Sequence, residues 1–326
     1  MQTTTQKRYL GKAIGSFLIV LFTMPLGHAL MILMEHYLSP GALHYSAFAM
    51  GFVGMCIVIA GVFVKGDTKQ TSFGLFGGLL FWTGWVEFLF AYYAVRYGVH
   101  YDLTGSGIVQ TTTQYANGIA VAQTHLINGL PLDSYSHPEL KEIIGSRPEY
   151  LIMPATFGMW MMFMMLYIFC TRSGCKFIMW IQDVCCIKQK VELRPMAHHS
   201  SMVTFLELNM MLWSLYLLLM FCYDPVFLGE RHPITLLVAL GCLIGSFFMF
   251  RKQLYMATWG RNLRMSVATV IVFWTFIEVV ARNGLFQEVW VDPMNHVAEM
   301  VAITVAFCVL VAVAWFVSRG KKASAK

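Results

Sequence analysis

Charge is what this sequence has least of. Only 12% of its residues are Asp, Glu, Lys or Arg, while 58% are apolar and the mean hydropathy is +0.62. Soluble domains use roughly twice that share of charged residues, so a soluble fold is excluded and the chain reads as an integral membrane protein. Metal-ligand cysteine spacing is missing too. Cys56, Cys170, Cys222, Cys242 and Cys308 fall in apolar runs, where a thiol acts as a small hydrophobe. Cys175, Cys185 and Cys186 fall in a segment expected on the cytoplasmic side, where a structural disulfide is disfavoured.

Several functional signatures are absent as well. There are no histidine boxes of the membrane hydroxylase kind, no histidine pattern of haem A synthases, no Asp-rich prenyltransferase motif and no haem-attachment motif. A cleavable signal peptide is not evident either. The apolar run 11–37 is too long for an h-region and no small-residue cleavage site follows it, so the run is expected to stay as a helix.

What is present is a series of long apolar runs, at 12–37, 46–65, 72–96, 150–171, 202–223, 233–250, 265–283 and 296–318. Each reaches the ~17 residues that cross ~30 Å of hydrocarbon. Their continuous apolarity predicts an all-α polytopic bundle of eight transmembrane helices in a single domain, 1–326, and excludes a barrel of short alternating strands. With both termini inside, 18 of the 23 Lys and Arg fall in cytoplasmic segments, which is the bias that orients multi-pass proteins. The expected location is therefore the inner (plasma) membrane, with the bilayer and possible membrane-protein subunits as partners. The net charge of +6 serves as an insertion signal, and nucleic acid is not expected as a partner.

Two extramembrane segments stand out. The outer (periplasmic) stretch 98–149 is too long for a passive linker and too short for a core of its own, so it reads as a cap over the bundle. Within it Ile119 to Leu130 reads as a short amphipathic helix, with turn signals at Asn117-Gly118 and Asn128-Gly129. The cytoplasmic loop 172–200 holds an interfacial helix over 175–191, with Phe177, Ile178, Trp180, Ile181 and Val184 on its apolar side.

The stretch around Glu87 organises the rest. Phe81-Trp82-Thr83-Gly84-Trp85-Val86-Glu87 puts a carboxylate inside an apolar run, where a charge is costly unless it is paired, hydrated or used. Phe273-Trp274-Thr275-Phe276-Ile277-Glu278 echoes it four helices later. The echo suggests two tandem four-helix units with a ligand site at their interface. Glu87 and Glu278 are the candidate catalytic or proton-carrying residues.

With that topology, eight of the ten histidines fall on the outer side. His28, His36, Glu35, Glu87, Glu278, His296 and Glu299 are the candidate metal shell. His and carboxylate suit a transition metal such as iron, copper or zinc, and a bundle supplies them from facing helices. His28 and Glu35, seven residues or two turns apart, share one face, and His296 and Glu299, three residues apart, share another. Plain structural readings stand beside these: Glu278 and Arg282 form a local i,i+4 pair, and the residues at helix ends reach water easily.

Three functions fit. One is a metal-dependent membrane enzyme or redox protein acting on a lipid or small apolar substrate. The second is a proton-coupled transporter using Glu87 and Glu278. The third is an accessory subunit of a larger membrane complex.

Overall fold

The computed structural model describes residues 8–90, 92, 109–116, 119–127, 130–131, 199–223, 227–229 and 231–323, together with 156, 160, 163, 180 and 184. Among these are seven helices long and apolar enough to cross a membrane, which makes the chain a multi-pass helical membrane protein. They are α1 (Leu10–Tyr37), α2 (Pro40–Phe63), α3 (Asp67–Phe81, continuing to Phe90), α4 (Ser200–Tyr223), α5 (Pro233–Gln253), α6 (Trp259–Arg282) and α7 (Val297–Ala323). The expected helix over 150–171 and the interfacial helix over 175–191 lie outside the described residues, apart from single positions: Trp160, Phe163, Trp180 and Val184 are helical.

Part of the outer segment corrects the sequence reading. Ile119 to Leu130 is not a helix: β1 (Val109–Ala116), β2 (Ile119–Ile127) and β3 (Leu130–Pro131) form an antiparallel sheet in the order β1-β2-β3. Ala116 pairs with Ile119 and Ile127 with Leu130, so both Asn-Gly pairs stand between consecutive strands. That dipeptide is the strongest short-range hairpin signal, and Val, Ile and Thr favour strands, which together outweigh the helical pattern.

Capping explains where several helices begin. Ser39 accepts from the Ala42 amide at the start of α2, His232 from Ile234 at α5, and Thr258 from Arg261 at α6. Both α2 and α5 carry a proline at the first turn, where its missing N–H is no loss.

Helix packing follows a reciprocal pattern. α2 pairs with α3 as α5 pairs with α6, α1 lies on α6 as α4 lies on α3, and α3 meets α6 at the centre. α7 packs on α1, while Thr156 and Trp160 reach α4 through hydrogen bonds of 2.9 Å from Trp213 and 3.0 Å to Ser214. The α2–α3 crossing needs glycine: a Cβ on Gly77 would stand 2.7 Å from the Gly54 carbonyl oxygen.

The core is the seam of α1, α3, α4 and α6, with Val20, Leu75, Leu208, Val267 and Val270 almost fully buried. The apolar side chains left exposed lie on outward faces, among them Val297, Val301, Val305, Val309 and Val313 on α7. Such long apolar stripes are what a helix shows to lipid.

One end of the bundle is tied by polar contacts. The Arg264 guanidinium donates to Asp67 Oδ1 at 2.7 Å and to Thr71 at 2.6 Å, and Ser200 Oγ donates to the same carboxylate oxygen at 2.7 Å. Gln253 donates to the Ala13 carbonyl at 2.9 Å and to Ser266 at 2.7 Å, and Lys12 donates to the Ala257 carbonyl. Lys12, Lys65, Lys69, Arg261 and Arg264 belong to this end, hereafter the basic end.

Candidate functional site

Near the other end, a cavity of about 290 Å³ lies between α1, α3, α4, α6 and the α6–α7 loop. His28 of α1, Glu87 of α3 and Glu278 and Arg282 of α6 border it, as does Glu288 of the loop. The two Phe-Trp-Thr helices thus bring their carboxylates to one space.

The local structure that delivers Glu87 is unusual. Residues Trp82–Glu87 form a π-helical turn, and the Phe88 amide donates to the Thr83 carbonyl five residues back. Glu87 follows Trp82 by five residues, whereas Glu278 follows Trp274 by four within an α-helix. A π turn carries one extra residue, so in each case the glutamate stands one turn beyond its tryptophan. The extra residue also serves packing. Gly84 lies against α2, where a Cβ would stand 2.5 Å from the Ala47 carbonyl oxygen, and the Trp85 indole donates to the Phe48 carbonyl at 2.8 Å.

Three elements arrange the remaining groups. Pro25 is buried within α1, one turn before His28, and its missing N–H leaves the α1 ladder short of one bond near the cavity. His28 Nδ1 lies 3.7 Å from Glu87 Oε1, and Arg282 Nε lies 3.7 Å from Glu278 Oε1. The Arg282 guanidinium also sits over the Tyr223 ring, 4.4 Å from its centroid.

The loop is turned back by the end of α6. Gly284 has a φ of +79°, its amide donates to the Ala281 carbonyl at 2.8 Å, and the Leu285 amide donates to Val280 at 3.3 Å. These two bonds are the Schellman termination, and they send Glu288 and Trp290 over the cavity. Burial and the Glu278 carboxylate push Glu288 up from its ordinary 4.5 to about 7, with the Arg282 guanidinium acting in the opposite direction.

Aromatic rings form the walls. Trp82 and Tyr216, with centroids 5.8 Å apart, and Trp274 and Trp290, at 4.9 Å, are two ring pairs among the lining residues. Each glutamate helix therefore contributes a tryptophan that is paired with a second ring.

Of the seven candidate metal ligands, His28, Glu87 and Glu278 border this cavity. Glu35 and His36 are exposed in the last turn of α1, and His296 and Glu299 pair with each other at 3.8 Å at the start of α7. None of those four lines the cavity. Among the described residues no group of three or more His, Cys, Asp and Glu side chains is placed to hold a metal ion. His100, Asp102, Asp133 and His137 lie outside the described residues.

Comparison with family models, with curated proteins and with solved structures returned no match. The chemistry must therefore be read from the cavity itself. It offers two helix-borne carboxylates, an imidazole, a guanidinium held by both carboxylate and ring, and a loop carboxylate that titrates near neutrality. Such a set can bind a small polar solute and exchange protons. Sequence reasoning passed over Glu288, Trp290 and Tyr216 as site residues. The two loop positions had one signal, the Gly284 that follows the last turn of α6.

Proposed function

We propose that the protein is a proton-coupled carrier of a small solute, with Glu87 and Glu278 as the paired carboxylates of one site. The observation that carries this reading is that both glutamates border a single cavity where α3 meets α6. A carboxylate at membrane depth is tolerated when a proton or a cation neutralises it, so solute binding and proton release are linked at such a site.

The reciprocal helix packing supports two tandem repeats, α1–α3 with the 150–171 segment and α4–α7, related by an axis along the membrane normal. The matching Trp–Glu turns and the proline-started α2 and α5 add to that support. In this reading the basic end faces the cytoplasm of an inner membrane, as the Lys and Arg distribution suggests. The Asp67–Arg264–Ser200 contacts then close the path on that side, while the cavity is reached from the other.

The test is flux in proteoliposomes across an imposed pH difference. Wild-type protein is expected to move protons and solute together, and Glu87→Gln to lose that movement while remaining monodisperse. Equal rates for the two proteins would overturn the reading.

A second reading has one observation in its favour. His28, Glu87 and Glu278 border one cavity; among the described residues they are not placed to hold a metal ion by themselves, so a transition metal there, which would make the protein an enzyme or redox protein, would need a rearranged or completed ligand set. Metal analysis of purified wild-type and His28→Ala protein separates the two. Stoichiometric metal lost in the variant favours the enzyme, and none in either sinks it.

A further inference from the structure

We propose that this cavity recognises a small organic cation, a protonated amine or quaternary ammonium with apolar substituents. The inference rests on the reading of the cavity as a solute site and assigns the chemistry of what enters it.

The walls carry the argument. Aromatic faces present the negative side of the ring quadrupole, and a cation within about 6 Å of a centroid is attracted, more strongly where water is excluded. Trp82 with Tyr216 and Trp274 with Trp290 place two such ring pairs around one space of about 290 Å³. That volume is at the lower limit of ligand pockets, which suits a compact head group.

The charges point the same way. Among the described residues that border the cavity, the carboxylates are Glu87, Glu278 and Glu288 and the guanidinium is Arg282. The guanidinium is engaged by Glu278 at 3.7 Å and by the Tyr223 ring at 4.4 Å, both within its own end of the bundle. An anionic solute would have to compete with Glu278 for Arg282 and would meet two further carboxylates. An organic cation meets rings that hold its alkyl groups and carboxylates that balance its charge.

A cation also suits exchange. Either a proton or the organic cation can neutralise the site carboxylates, so binding of one displaces the other with no net change of buried charge.

The experiment is equilibrium binding to the full-length protein in detergent, followed by tryptophan fluorescence and calorimetry. Choline is the cationic probe, 3,3-dimethylbutan-1-ol its neutral isostere, and benzoate the anionic probe. Choline is expected to bind roughly tenfold or more tightly than the isostere, as a desolvated cation–π site requires. Trp290→Leu and Glu87→Gln are each expected to weaken it several-fold. Trp290 is in the loop, so its replacement spares the helix core and keeps the test meaningful if Glu87→Gln proves unstable. Equal binding of the isostere, preference for benzoate, no choline binding, or unchanged affinity in Trp290→Leu would each overturn the proposal. Choline binding without flux in liposomes would refute the carrier while leaving the cation site standing. Proton-coupled flux of another solute without choline binding would do the reverse.

Discussion

His28 Nδ1 lies 3.7 Å from Glu87 Oε1, and the two side chains come from α1 and α3, which both border the cavity. The pair brings an imidazole and a carboxylate to within a small rotamer change of hydrogen-bonding distance, which is the range for direct proton exchange. Replacing His28 with Ala is expected to shift the pH at which coupled flux is half-maximal while the fold is retained. A pH profile identical to wild type would count against a proton role for the imidazole.

Glu278 and Arg282 are a mostly buried i,i+4 pair, with side chains 16% and 17% exposed. Glu278→Gln leaves the guanidinium partly desolvated and short of its counter-charge. A loss of about 1–3 kcal/mol is expected, visible as a lower unfolding midpoint in detergent. Adding Arg282→Gln should recover part of it, and a double-mutant cycle measures the coupling. Strict additivity would show that the two groups do not act as a pair.

Glu288 gives a pH dependence of definite sign. Its carboxyl titrates near 7 in the folded protein against an ordinary 4.5, so between those values the native state binds more protons than the unfolded chain. Stability contributed by the protonated form is therefore present at low pH and lost as the pH rises from about 4.5 to about 7, by about 1–3 kcal/mol after allowance for partial solvation. Glu288→Gln is expected to flatten that slope in thermal unfolding between pH 5 and 8. An unchanged slope would place the titrating group elsewhere.

The π turn at Trp82–Glu87 is also open to test. Deleting Trp85 leaves Glu87 four residues after Trp82, the spacing seen at Trp274 and Glu278, so the carboxylate is expected to keep its place and coupled flux to persist. Inserting an alanine after Trp85 instead turns Glu87 by ~100° away from the cavity and is expected to abolish flux. The opposite pair of outcomes would contradict the equivalence of the two turns.

Much of this was legible in the chain because hydrophobic runs of bilayer length leave few alternatives to helices. Seven of the eight expected runs correspond to described helices. The i,i+4 spacing of Glu278 with Arg282 and the i,i+3 spacing of His296 with Glu299 also appear as contacts. The π turn was not legible, since one added residue leaves the hydropathy of a run unchanged. The sheet over 109–131 was half legible: both Asn-Gly pairs read as turns, yet the strand between them also carries helical spacing. Glu35, His36, His296 and Glu299 do not border the cavity that His28, Glu87 and Glu278 share, and sequence position alone could not separate the two sets because depth along an axis does not give direction around it. Glu288 and Trp290 depended on a loop that folds back at Gly284, a consequence of backbone geometry that residue spacing does not encode.

The central claim, that Glu87 and Glu278 share one site opened in turn to each side of the membrane, does not require the solute to be known. A single cysteine at Met24, on the cavity wall, in a background without native cysteines, reports access directly. Membrane-impermeant maleimide would be applied to right-side-out and inside-out vesicles. The account predicts labelling from both faces, and faster labelling from the basic end when Asp67→Asn weakens the contact with Arg264. Labelling from one face alone, unaffected by Asp67→Asn, would contradict it.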